Sequence, residues 1–217
     1  MKSTKFLVAT LLLALAGSAQ ADYFQTFNTG GVTVPDGNLS GWSDTRVLNG
    51  VSGSVSNVSV TLNLTGSWNG DLYAYLVHDS GFAILLNRVG RTTDTPLGFG
   101  TAGMNVTLND NALLGNIHSV SAPGSGGIYL PDGRNIDPLT PAAQFNSPLN
   151  PTAPLSSFYG ANPNGNWTLF IADVQSGDVS QVQSWSLGFE TVPEPSSLTL
   201  FLCGMLGLYR FPKRCSL

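Results

Sequence analysis

Four stretches of the chain alternate apolar and polar residues with a period of two, and this alternation constrains the fold more than any other feature. Val58, Val60, Leu62 and Leu64 interleave with Ser59, Thr61, Asn63 and Thr65. Leu72, Ala74 and Leu76 interleave with Tyr73, Tyr75 and Val77, and Trp167, Leu169 and Ile171 with Thr168, Phe170 and Ala172. Trp185, Leu187 and Phe189 close the series against Ser184, Ser186 and Gly188. A period of two sends successive side chains to opposite faces of a strand, so each stretch predicts a strand with one face in a core. Turn signals separate them: Trp68-Asn69-Gly70-Asp71, Asn162-Pro163-Asn164-Gly165 and Ser176-Gly177-Asp178. No helical stripe of comparable length lies between. The expected fold class is all-β, an antiparallel β-sandwich of jelly-roll type.

Between Gly115 and Ser157 the alternation gives way to Pro, Gly, Asn and Ser. That region predicts a long loop carrying one or two short strands, and long loops are more often functional or mobile than core.

The two ends are apolar for a different reason. Lys2 and Lys5 precede the apolar run Phe6 to Ala16, followed by Gly17-Ser18-Ala19-Gln20-Ala21. This is the charged, apolar and small-residue order of a secretory signal peptide, with cleavage by signal peptidase expected after Ala21. As a helix the run spans roughly 16 Å, about half a hydrocarbon core, which disfavours a permanent anchor. At the other end, Pro193-Glu194-Pro195 precede an apolar stretch from Ser196 to Tyr209 and the basic residues Arg210, Lys213 and Arg214. The expected organisation is a signal peptide and signal helix over 1–21, a β-sandwich over 22–190, and over 191–217 a motif, a short transmembrane helix and a basic tail held in the cytoplasm.

That C-terminal order resembles the PEP-CTERM sorting signal of bacterial exported proteins. The resemblance implies processing by exosortase, a membrane-embedded cysteine transpeptidase that cuts near Pro193, Glu194 and Pro195 and releases or transfers the exported domain. It implies transient anchoring in the membrane, then residence at the cell surface or in an extracellular matrix, with extracellular polysaccharide as one partner. A plain tail anchor behind a Pro-rich linker is the other reading of the same residues.

Composition narrows the function of the exported segment. Residues 22–190 hold twelve acidic side chains, four arginines and no lysine, a net charge of −8. Such a surface repels phosphate backbones, which argues against nucleic acid as a partner and makes divalent cations the natural counterions. Both cysteines, Cys203 and Cys215, lie in the C-terminal segment, so no disulfide braces the domain.

Several segments together resemble the P-domain (P/Homo B domain), the accessory domain beside the catalytic domain of subtilisin-like proprotein convertases. They are Val34-Pro35-Asp36-Gly37, Val58 to Leu64, Asn69-Gly70-Asp71-Leu72 running into Tyr73 to Leu76, and Gly81 to Leu86. Further on come Phe158-Tyr159-Gly160, Asn164 to Leu169, Asp173 and Ser184-Trp185-Ser186-Leu187. The resemblance implies a jelly-roll core and an accessory role. It departs from the family in lacking the His usual before the Asp-Leu turn, and residues 115–157 have no strong counterpart.

A serine protease needs a nucleophile, a base and an orienting acid. The only histidines are His78 and His118, and no G-x-S-x-G segment occurs. Both histidines are read as surface residues, at a strand end and at the start of the loop region, and their spacing carries no zinc signal. Asp36, Asp71 and Asp173 lie in turns that match the family. As a set they are candidate oxygen ligands for structural calcium, and singly each is an Asx-turn residue. Of the four tryptophans, Trp167 and Trp185 read as core, and Trp68 as an exposed contact suited to a sugar. Three functions stay open: a non-catalytic exported protein acting in binding or assembly at the envelope, an accessory module for a separate secreted protease, and a hydrolase built on loop 115–157.

Overall fold

A computed structural model describes residues 21–66, 68–79, 81–148 and 150–192. The expected signal helix, the transmembrane helix, the processing motif Pro193-Glu194-Pro195 and the basic residues Arg210, Lys213 and Arg214 lie outside them. Among the described residues no helix is long and apolar enough to cross a membrane.

The strands are β1 (Ala21–Thr33), β2 (Asn38–Leu48), β3 (Ser54–Gly66), β4 (Leu72–His78), β5 (Gly81–Asn87), β6 (Met104–Asn109), β7 (Gly127–Tyr129), β8 (Gly165–Asp173) and β9 (Ser180–Val192). They form two sheets, ordered β1-β9-β3-β6-β7 and β2-β8-β4-β5. Each alternating stretch of the sequence is a strand, and its apolar set faces the space between the sheets. Val58, Val60, Leu62, Trp185 and Leu187 meet Leu72, Leu76, Trp167, Leu169 and Ile171 there, all at most 1% exposed. Burial of this surface is the main favourable term for folding.

All pairings between the described strands but one are antiparallel. The short strand β7, the one strand among the described residues of the 115–157 region, runs parallel to β6, a local departure from the expected antiparallel sandwich. Isolated bridges at Asn116–Leu130 and Arg134–Thr152 add to the pairing of this region.

The edge strands β1 and β2 both change register partway, between Asn28 and Val32 and between Asn38 and Trp42. The second irregularity rests on Gly41, whose φ is +51° and whose added Cβ would lie 2.5 Å from the Ile171 carbonyl oxygen. Only glycine fits that approach. The sheets are also tied by a polar contact: the Trp185 indole Nε1 donates to Asp44 Oδ2 at 2.8 Å, linking β9 to β2.

Candidate functional site

The turns that enter β4 and leave β8 lie side by side, because Leu72 pairs with Asp173 in the β4–β8 ladder and the Val174 amide donates to the Asp71 carbonyl at 2.9 Å. This brings Asp71 and Asp173 together at one end of the sandwich. Asp36, between β1 and β2, joins the same end by accepting the Gly177 amide at 3.2 Å. A shallow cleft of about 180 Å³ opens there, lined by Trp68, Asp71, Leu97, Gln175, Ser176 and Asp178.

At the centre stands Arg88, 1% exposed. Its Nε donates to the Gly70 carbonyl at 2.6 Å and its Nη2 to Asp71 Oδ1 at 3.2 Å. Its backbone is left-handed, with φ +51°, although it is not glycine. Such a conformation costs on the order of 1 kcal/mol and persists where neighbours over-determine it. Asp173 is fully buried, and its Oδ2 has no hydrogen-bond partner among the described residues. Burial raises the Asp71 carboxyl from 3.8 to about 6, with Arg88 opposing and Asp178 and Asp36 reinforcing the shift. Burial also raises Asp173 to about 6, opposed by the Gln175 amide and reinforced by Asp71 and Asp36.

The turns carrying Asp36, Asp71 and Asp173 thus share one end of the sandwich, where the charge paired with Asp71 is the Arg88 guanidinium. Among the described residues no three His, Cys, Asp or Glu side chains are grouped to hold a metal ion.

Both acids hold a proton more tightly in the folded than in the unfolded chain. Their contribution to stability is fully present below pH 4 and is lost as the pH rises through about 6. The variant Asp173→Asn should be more stable than the parent at pH 7 by on the order of 1 kcal/mol. At pH 4 the two should differ little. Urea midpoints at both pH values check this, and an equal difference at each would show that ionisation is not its source.

The second polar centre lies in the 115–157 region, where the sequence suggested a loop with His118 at its surface and no such pairing. His118 Nδ1 is 2.7 Å from Asp132 Oδ2, and Arg134 Nη1 is 2.8 Å from Asp132 Oδ1. A His–Asp pair invites comparison with a hydrolytic centre, but His118 Nε2 faces the Arg91 carbonyl oxygen at 3.2 Å, and the residue is 3% exposed. A carbonyl oxygen in that place offers no proton to abstract.

His78 is fastened in the same way, with Nδ1 and Nε2 each 2.9 Å from a carbonyl oxygen, of Asn166 and Asn162. It is 4% exposed and stacks on Trp167. The expectation that both histidines are surface residues is thus wrong. His78 shares the parity of Leu72, Ala74 and Leu76, and so continues the buried face of β4. His118 is turned inward by a one-turn 3-10 helix over Ile117–Ser119, whose amide at His118 is capped by Asn116. Trp68 is half-buried in a left-handed turn, its indole donating to the Leu97 carbonyl at 3.2 Å.

No family model matches the chain, and no close match exists among curated proteins. Solved structures do match. A chain of the Aeromonas sobria serine protease and chaperone complex is 17% identical with a TM-score of 0.46, covering 81% of this chain and 27% of that one. The serine protease of Aeromonas sobria is 16% identical with a TM-score of 0.42, covering 79% of this chain and 27% of that one. This chain spans about a quarter of the length of either.

Proposed function

We propose that the described domain is a non-catalytic accessory module, exported from the cytoplasm, that stabilises a separately encoded secreted protease of the subtilisin type. The observation that carries this reading is where the P-domain-like segments fall. Asn69 to Leu76 and Asn164 to Asp173, nearly a hundred residues apart, form the adjoining strands β4 and β8 and the turns at their ends. The strand orders 1-9-3-6 and 2-8-4-5 support a jelly roll, as the resemblance implies. The non-catalytic reading is supported by the two histidines, each fastened by both ring nitrogens.

Export through signal peptidase after Ala21, sorting by exosortase at Pro193, Glu194 and Pro195, and final placement at the cell surface or in the matrix are parts of the same proposal, resting on the sequence of the two ends. An envelope role in binding or assembly, without a protease, is the second reading; the composition of the sheet face described below favours it.

The test is a secreted subtilisin-like protease encoded alongside the chain, heated with and without it. A half-life of inactivation at least about threefold longer with the chain is expected. An unchanged half-life, with no complex on gel filtration, would remove the accessory reading and leave the envelope role.

A further inference from the structure

The outer face of the larger sheet carries a cleft of about 400 Å³, within the range of small-molecule pockets. Its floor is a row across three strands. Phe24 on β1 pairs with Gly188 on β9, and Gly188 with Ser59 on β3. A Cβ at Gly188 would meet Ser59 Oγ at 2.4 Å and Phe24 Cδ2 at 3.3 Å, so glycine keeps the floor open between them. Phe24 is 65% exposed on one wall and Ile128, from β7, 49% exposed on another.

Beside this floor lies a built polar network. Asn57 Oδ1 accepts from Asn109 Nδ2 at 3.1 Å and from the Tyr159 hydroxyl at 3.2 Å, while Asn57 Nδ2 donates to Glu190 Oε1 at 3.1 Å. Contacts on both ends of the amide fix its orientation. Asn111 Nδ2 approaches the same oxygen at 3.5 Å. Asp22 stands opposite Glu190 in the β1–β9 ladder. Among the described residues no basic side chain lines the cleft.

We propose that this cleft binds a neutral carbohydrate chain. A pyranose ring has an apolar C–H face and a rim of hydroxyls. The first matches an exposed aromatic ring on a flat floor, the second a set of amides and carboxylates held in place before the ligand arrives. The carboxylates of Asp22 and Glu190 disfavour phosphate and uronate groups, even with the one α-ammonium that cleavage after Ala21 would leave at Asp22, which argues against anionic lipid headgroups and acidic polymers. A second copy seated face to face would set the same carboxylates against each other. The cleft is distinct from the acidic end around Arg88 and does not depend on a protease partner.

The test is affinity electrophoresis of the purified chain in gels containing amylose, a mixed-linkage β-glucan, galactomannan or glycol chitin, with polygalacturonate as the anionic control. Retardation by at least one neutral polymer and none by polygalacturonate is expected. Phe24→Ala should weaken that retardation about tenfold or more, with a thermal midpoint within a few degrees of the parent, since Phe24 contributes little to the core. Gly188→Val, which fills the floor, should abolish binding. The proposal is overturned if no neutral polymer retards the chain, if polygalacturonate does so equally, or if Phe24→Ala binds as the parent does. It is also overturned if the cleft proves to be a dimer contact, with Phe24→Ala converting a dimer to a monomer on gel filtration.

Discussion

Replacing Arg88 with methionine should destabilise the domain by about 3–5 kcal/mol at pH 7, the range seen when one partner of a buried ion pair is removed. Methionine fills a similar volume but supplies neither the Nε–H that reaches the Gly70 carbonyl nor the charge beside Asp71. Asp71 and Asp173 would then share one end of the sandwich with no buried cation between them. For a domain of this size, a fall in thermal midpoint of roughly 8–15 °C is expected. Two further measurements separate charge from packing. The loss should be smaller at pH 4.5, where both carboxyls are protonated, because burial holds them near 6. The double variant Arg88→Met/Asp71→Asn should recover a large part of it. An equal loss at both pH values, unrelieved in the double variant, would mean that Arg88 acts through its left-handed backbone rather than its charge.

Trp167→Ala should cost about as much, roughly 3–5 kcal/mol. The indole is fully buried and touches three parts of the molecule: His78 of its own sheet at 4.1 Å between ring centroids, Phe189 of the facing sheet at 4.8 Å, and Phe158, at the end of the 3-10 turn Leu155–Phe158 that closes the long loop region, at 5.0 Å. Its Nε1 donates to the Pro163 carbonyl at 2.8 Å. Alanine leaves a cavity bounded by three rings and a carbonyl with no donor. Trp167→Phe should cost less, about 1–2 kcal/mol, since it keeps most of the packing and loses the hydrogen bond. Chemical denaturation of both variants checks the order, and a phenylalanine as costly as alanine would place the weight on the Pro163 contact.

The sequence makes Trp167 legible and Arg88 invisible, and the contrast is physical. A strand buried on one face repeats every two residues, so β3, β4, β8 and β9, all interior to their sheets, could be read directly. The strands β1 and β2 are edges with largely exposed faces, and without alternation they leave only weak marks. Parity could have found His78, two residues beyond Leu76 on the same buried face. Nothing comparable marks Arg88, because its burial depends on a turn eighteen residues earlier supplying Gly70 and Asp71 as partners. The three acids expected to act as one ligand set lie in turns at one end of the sandwich without grouping as metal ligands, and the charge beside Asp71 comes from a residue with no local signal. The His118–Asp132 pair was likewise hidden, since both members lie where the alternation fails. The sheet-face cleft was beyond reach for another reason: Phe24, Asn57, Asn109 and Glu190 share a surface only through the ladder order β1-β9-β3-β6.

That ladder also governs when the chain can fold. Among the described residues the first strand pairs only with the last one: Asp22 lies opposite Glu190, and Phe27 opposite Trp185. The neighbour of β9 on its other side, β3, is also more than a hundred residues away. Contacts this distant in sequence make folding slow, because the entropy of closing the loop is lost before any pairing compensates it. A growing chain therefore cannot complete either of these pairings until residues near its end have emerged. Were the chain threaded unfolded through a translocation channel, as the proposed export requires, such topology would act as a timer, postponing compaction until nearly the whole domain had reached the far side.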